Sequence, residues 1–303
     1  MKKIIFFIFI FTFHISCFTF AQDDLMNMID SGTPSKQPVI ATFKTTRIIN
    51  AHSVETVKKK TLDVRITHRF GDMASSTSDI HTGYGLYQIQ DVRIAFEYGV
   101  TDKLTLGFGK SKFTILEPVD GYVKYKLMQQ TTDNKIPMSI TLLANSAIAG
   151  RKASTDSTSE FSYKNTTDRL SFTTQLIVAR KFGDYFSLEI LPTYFHRNYV
   201  AFDDENGFLS IGIGGRLRVS KSAAIICDYF YNLSKYRQDN NDIYFNPLAV
   251  GFEIETGGHV FHLTFTNSTG IIENAFLPYT QSSWSKGEFR WGFNISRVFA
   301  IGK

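Results

Sequence analysis

The chain has 303 residues, 15% of them aromatic (28 Phe and 14 Tyr), and a formal net charge of +5. That charge is too small to argue for nucleic acid or an anionic membrane surface as partner. No apolar run beyond the N-terminal leader reaches the ~20 residues of a helical membrane span, and the wealth of Phe, Tyr and Gly leans to β-structure.

Met1-Lys2-Lys3 is a basic start, and Ile4 to Phe13 is apolar except for Thr12. Thr19-Phe20-Ala21 offers small residues at the two positions a signal peptidase reads. The pattern predicts a signal peptide over 1–21 and a mature chain beginning at Gln22. The rival is a lipoprotein attached through Cys17, but His14 stands where such a motif wants an aliphatic residue. Losing Lys2 and Lys3 lowers the net charge from +5 to +3. Cys227 is then the single cysteine, with no disulfide partner, and reads as a small wall residue.

Residues 22–60 form a lead-in. Within it, Val39 to Ile49 looks like an extra strand over 38–49. It fits a thirteenth span, a segment packed inside a barrel, or a strand at the periplasmic rim.

From residue 62 onward apolar and polar residues alternate. Leu62, Val64, Ile66 and Phe70 oppose Asp63, Arg65, Thr67 and Arg69. Leu209, Ile211, Ile213, Leu217 and Val219 oppose Ser210, Gly212, Gly214, Arg216 and Arg218. Phe289, Trp291, Phe293 and Ile295 oppose Arg290, Gly292, Asn294 and Ser296. Twelve strands are predicted: 62–70, 86–98, 103–113, 119–130, 136–149, 170–181, 185–197, 207–219, 222–232, 247–255, 258–267 and 287–299. Such lengths suit tilted strands crossing a bilayer, which need about 9–11 residues. Tight turns at Thr101-Asp102, Gly183-Asp184, Ser220-Lys221 and Gly257-Gly258 alternate with long polar stretches at 71–85, 150–169, 198–206, 233–246 and 268–286. Only 114–118 is short where a long loop is expected.

These features predict an all-β, up-and-down antiparallel transmembrane barrel over 61–303, with about twelve strands and a range of twelve to fourteen. Short turns and both barrel ends then face the periplasm. The apolar face is read as lipid-facing for two reasons. The opposite face is rich in Gly and Thr rather than Lys and Glu, and about twelve strands enclose more than side chains alone can fill. Tyr98, Phe113, Tyr194, Tyr231 and Phe299 sit near strand ends, as interfacial girdles do. Arg297 falls on the lipid face near a rim, where it can snorkel.

Several segments carry a family likeness: Ala41-Thr42-Phe43-Lys44-Thr45-Thr46-Arg47, His68-Arg69-Phe70-Gly71-Asp72, Glu97-Tyr98-Gly99-Val100-Thr101-Asp102, Asp120-Gly121-Tyr122-Val123-Lys124-Tyr125-Lys126 and Phe293-Asn294-Ile295-Ser296-Arg297-Val298-Phe299. With them the chain resembles an outer-membrane β-barrel family of Bacteroidota whose function is unassigned. The resemblance implies a barrel in the outer membrane and no particular reaction.

No catalytic, metal or cofactor site is predicted. His259 and His262 point to opposite faces at strand spacing. Neither a His-x-Ser-Asn-Gly signature nor a Gly-x-Ser-x-Gly turn supports a lipid hydrolase built on His68 or His262. The candidate lumen-lining residues are Arg65, Arg93, Glu97, Lys124, Arg216, Arg218, Glu253, His262 and Arg290. Arg69, Lys126, Asp63, Asp91, Glu189 and Asp228 share their face. Two readings stand: these groups line an aqueous pore, or they pair and plug the interior. The expected function is a passive channel or small-solute transport component, with a non-conducting surface scaffold as alternative. The expected partners are outer-membrane lipid and the barrel assembly machinery, with small solutes passing and no nucleic acid.

Overall fold

The structure is a computed structural model that describes residues 37–301. The expected signal peptide, the start at Gln22, the Cys17 alternative and the lead-in up to residue 36 lie outside the described residues.

The twelve strands are β1 (Thr61–Asp72), β2 (Ile89–Gly99), β3 (Leu104–Ser111), β4 (Val119–Met128), β5 (Ser139–Ile148), β6 (Leu170–Phe182), β7 (Phe186–Arg197), β8 (Gly207–Arg218), β9 (Ala223–Leu233), β10 (Leu248–Thr256), β11 (His259–Thr266) and β12 (Arg290–Ala300). Each pairs antiparallel with its chain neighbours, and β1 closes on β12 from Thr61↔Ala300 to Asp72↔Arg290. Closure leaves no strand edge unpaired. Three strands start three residues later than their alternation predicts, at Ile89, Ser139 and Arg290. Left-handed Gly83, Gly85 and Gly287 keep the chain turning ahead of β2 and β12, and Pro137 has no N–H to give a ladder ahead of β5.

The expected alternation of faces holds. On β8, Leu209, Ile211 and Ile213 are exposed while Ser210, Gly212 and Gly214 are buried. On β1, Asp63, Arg65, Thr67 and Arg69 are buried while Ile66 is exposed. The barrel therefore has an apolar exterior and turns the polar residues of these strands inward. Cys227 lies on the exposed face of β9.

One rim is made of short connections, such as 183–185 and 257–258, where Gly183, Gly257 and Gly258 take positive φ. The other carries long loops, including 149–169, 234–247 and 267–289. We call these the turn rim and the loop rim. The loops hold two short helices: α1 (Lys235–Asp239), capped by Ser234, which accepts a hydrogen bond from the Arg237 N–H, and α2 (Glu273–Tyr279).

Twelve strands leave a lumen wider than wall side chains can fill, and two segments occupy it. From the turn rim comes the chain ahead of β1. It enters at Pro38, bridged to Thr131 of the β4–β5 turn, reverses at 48–51, and leaves through 58–60 into β1. From the loop rim comes α2, whose residues are all buried. The extra strand considered over 38–49 is absent. Ala41 is left-handed and Ile48 N–H bonds Ala51 C=O at 2.8 Å, so the chain bends back. Adjacent Ile48 and Ile49 are both buried, which a two-faced strand does not do.

Candidate functional site

The site is the occupied lumen. Residues 46–53 form a hairpin, with Ser53 N–H on Thr46 C=O at 2.9 Å. Its tip is held by Asp228 of β9. One carboxylate oxygen accepts from the backbone N–H groups of Ile49 (3.1 Å), Asn50 (2.8 Å) and Ala51 (3.1 Å). Successive N–H groups pointing at one anion make a nest that a single carboxylate can lock. Asn50 continues the grip: its Nδ2 donates to Asp228 and its Oδ1 accepts from Arg69 of β1 at 3.2 Å.

On the opposite wall Thr46 is the contact. Its hydroxyl donates to Glu97 and accepts from Arg65 at 3.0 Å, and its carbonyl accepts from Lys124 at 3.0 Å. Nearer the turn rim, Val54 N–H donates to Glu189 at 3.2 Å and Val57 N–H to Thr105 at 2.9 Å. With Thr266 of β11, which accepts from Asn50 Nδ2 at 3.4 Å, five strands contribute side chains to one eight-residue span, Thr46–Ser53, and further strands hold the chain leading away from it.

The hairpin and α2 meet in mid-lumen. Arg47 reaches Glu273 with both terminal nitrogens, at 3.5 and 3.3 Å, and donates to Asn50 C=O at 2.9 Å. It also donates to Nε2 of His52 at 2.7 Å. Arginine only donates, so His52 Nε2 is the acceptor and the ring proton sits on Nδ1. Burial, and then the Arg47 guanidinium, hold the His52 pKa well below the ordinary histidine range. The ring is neutral at pH 7 and its edge meets Tyr122 at 4.7 Å. On its far side α2 is fixed by Asn274 to Ser171 at 2.9 Å on β6, and by Tyr279 to Arg197 at 2.6 Å on β7.

Glycines give these groups room. A Cβ at Gly107 would lie 2.1 Å from the Tyr122 ring, and one at Gly214 would lie 2.5 Å from Ile48 Cδ1.

Of the nine residues read from sequence as lumen-lining, eight are buried in the barrel: Arg65, Arg93, Glu97, Lys124, Arg216, Glu253, His262 and Arg290. Arg218 is only half-buried, at the turn rim, with its guanidinium 5.1 Å from the Tyr185 ring. Arg65, Glu97 and Lys124 converge on the hairpin. Arg216, Glu253 and His262 form a separate cluster, with Arg216–Glu253 at 2.8 Å and His262–Glu253 at 3.3 Å. Arg93 pairs with Asp120 at 2.6 Å and Arg290 with Asp72 at 2.6 Å. Sequence reasoning missed Asp120 as a partner, although it shares parity with Lys124 two residues apart from Tyr122 on either side. It also missed Arg47, His52 and Glu273, which lie outside the strands.

The interior is not uniformly polar. Leu143, Ile177, Leu191, Phe195, Phe208, Ile226 and Phe230 of β5 to β9 point inward and pack with Phe43, Ile48, Ile49 and Val54 of the lead-in and Phe276 and Leu277 of α2. Charge is concentrated on β1 to β4 and β10 to β12, with Glu189, Arg197, Arg216 and Asp228 set into the apolar side. His68 faces outward, stacked on Phe293 at 5.3 Å. His262 lies 3.3 Å from Glu253 and hydrogen-bonds Asn294. Among the described residues neither imidazole has a serine hydrogen-bond partner.

A closed barrel with an apolar exterior and a charged, filled lumen defines the class: a membrane β-barrel. The family model described as a membrane bound beta barrel domain (DUF5777) matches residues 43–299, and the chain belongs to that family. The matched region begins inside the lumen segment, so the hairpin is part of the family domain. No curated protein matches the chain. Among solved structures, the KdgM porin is similar at 8% identity and a TM-score of 0.48, covering 79% of this chain and 99% of that one. The COG4313 outer membrane channel from Pseudomonas putida F1 is similar at 13% identity and 0.46, covering 81% and 98%.

Proposed function

We propose that the protein is an outer-membrane channel for small solutes that rests closed, with residues 42–54 as a releasable plug and α2 as its seat. In this reading an N-terminal signal exports the chain, the assembly machinery inserts it, the turn rim faces the periplasm, and lipid surrounds the apolar exterior. One observation carries the proposal: the plug meets the charged arc of the wall through polar contacts. Glu97, Arg65, Lys124 and Asp228 are groups that water solvates well once the plug has gone. Asn145, buried on β5, has neither side-chain atom paired, and Gln175 on β6 leaves Oε1 unpaired. Such groups find partners in water or solute.

The energetics favour a plug that moves. Burying Phe43, Ile48, Ile49 and Val54 stabilises it by about 1.5–3 kcal/mol each. Ordering the segment costs about 1–2 kcal/mol of backbone entropy per residue. Apolar burial is thus more than offset, and the polar locks at Asp228 and Glu273 decide the balance.

Single-channel recording in planar bilayers tests this on the whole protein, a Glu273→Gln variant and a deletion of 42–54. The wild type should be mostly closed. Glu273→Gln strands Arg47 without its counter-charge, a loss of about 3–5 kcal/mol for a broken buried pair, and should open far more often. The deletion should conduct steadily. Heat-modifiable gel migration confirms that each barrel is folded. Silence in all three folded proteins sinks the channel and leaves a non-conducting surface scaffold that acts through its loops.

A further inference from the structure

We propose that the loop rim carries a binding site for a neutral saccharide, in the pocket between the β9–β10 loop and α2. The pocket has a volume of about 310 Å³. That is the lower end for small-ligand sites, about 300–1,000 Å³, and suits one or two sugar rings rather than a polymer. Apart from Arg237, Leu277 and Thr280, its lining is of two kinds, aromatic rings and side-chain amides.

The amides supply both halves of a hydrogen bond. Asn232 is buried at 5% exposure. Its Nδ2 donates to Leu277 C=O at 2.9 Å, and its Oδ1 has no partner. Asn246 accepts the Asn232 N–H through Oδ1 at 3.0 Å, which fixes its flip and leaves its NH2 group as a donor. Asn241 lines the same pocket, exposed. A buried acceptor beside fixed donors matches vicinal hydroxyls, because each hydroxyl both gives and takes a hydrogen bond. An apolar solute would leave Asn232 Oδ1 unsatisfied, a cost of about 1–3 kcal/mol.

Tyr244 and Phe245 give the apolar wall. Tyr244 is held by the Tyr236 ring at 5.7 Å and the Arg237 guanidinium at 5.3 Å. Phe245 N–H donates to Thr280 C=O at 2.9 Å, tying the loop to the end of α2. The C–H face of a pyranose fits such a ring.

Charge argues against an anionic ligand. Among the described residues Arg237 is the single charged side chain lining the pocket. Asp204 already engages it at 3.0 and 3.1 Å, and Pro278 C=O accepts its Nε–H at 3.2 Å. A peptide is disfavoured as well. Peptides commonly dock by adding a strand to a free edge, and β9 and β10 are each paired on both sides.

The site is preformed in the closed barrel, so its occupancy is read without conductance and stands or falls apart from the channel proposal. The test is isothermal titration of the whole protein in an amine-oxide detergent, which carries no sugar. The probes are cellobiose, maltose and N,N′-diacetylchitobiose, with galacturonate and trialanine as controls. At least one neutral disaccharide should bind with a Kd of about 1 mM or tighter. Asn241→Ala, an exposed change that leaves the fold alone, and Tyr244→Phe, which keeps the ring, probe the hydrogen bonds. Tyr244→Ala probes the stacking. Asn241→Ala and Tyr244→Ala should each weaken binding about tenfold, and Tyr244→Phe by less than Tyr244→Ala. Preferred binding of trialanine or galacturonate overturns the assignment. So does the absence of disaccharide binding, or binding that all three variants leave unchanged.

Discussion

His52 can accept from Arg47 only while its Nε2 is bare. It is faced by Arg47 on its own segment, Glu273 of α2 at 4.0 Å, Tyr122 and Lys124 of β4, Arg93 of β2 and Arg65 of β1. Burial comes first among the causes that keep it neutral, and these cations follow. A released plug returns His52 to water and to its ordinary pKa of about 6.5. The docked pKa is depressed, so the docked state holds its full stability above that value. It loses stability as pH falls, because the released state takes up the proton. Channel openings should therefore rise at least about tenfold between about pH 8 and pH 5, where tenfold is about 1.4 kcal/mol. His52→Gln keeps an acceptor for Arg47 and cannot titrate in this range, so it should flatten the response. A wild-type profile that is flat, or a variant as steep as wild type, would count against this role. Much of the wall at this scale was legible in the sequence. Parity alone put Arg65, Glu97 and Lys124 on one face, because period two is strict along a strand. Their contact with Thr46 was not legible, since nothing in a strand pattern says what fills the space inside.

The plug and α2 are the elements that alternation does not reveal. Residues 39–49 are rich in Val, Ile, Phe and Thr, as a strand is, but from Thr45 onward the segment is surrounded on every side and has no outer face to keep polar. α2 has two turns and contains Pro278, so it reads as loop. Both fold where they do because a twelve-stranded wall leaves room and glycines leave notches. The notch at Gly214 gives a test of that fit. In Gly214→Val the new side chain collides with Ile48, and overpacking of this kind costs about 1–3 kcal/mol. The plug should loosen, read as faster amide exchange in residues 46–53 with the strands still protected. Ile48→Ala in the same chain should restore protection in part. Equal protection in Gly214→Val and wild type would show that Ile48 does not need the notch.

For the molecule as a whole, the sequence was most readable where the environment repeats. Each of twelve strands meets the same two surroundings, so each shows the same alternation, and ends drifted by up to three residues where glycine or proline ruled the local turn. The inner surface was read less well. Leu143, Ile177, Leu191 and Phe230 face inward because plug and helix supply apolar partners, and those partners come from far away in the chain. The outer surface makes the firmest forecast. With Cys227 first replaced by Ala, spin labels at Ile211 and Phe293 should be relaxed strongly by oxygen and weakly by a water-soluble nickel complex. The reverse order at both sites would mean that the apolar exterior does not meet lipid.

Chain order adds a constraint of timing. Residues 42–54 precede β1, and the seam between β1 and β12 waits for the last strand, with Thr61 opposite Ala300. During biogenesis the future occupant of the bore is therefore made before its container can shut. Closing the seam is then the moment of enclosure, and any copy that zips up empty has one doorway left for the hairpin, the mouth from which residues 58–60 emerge.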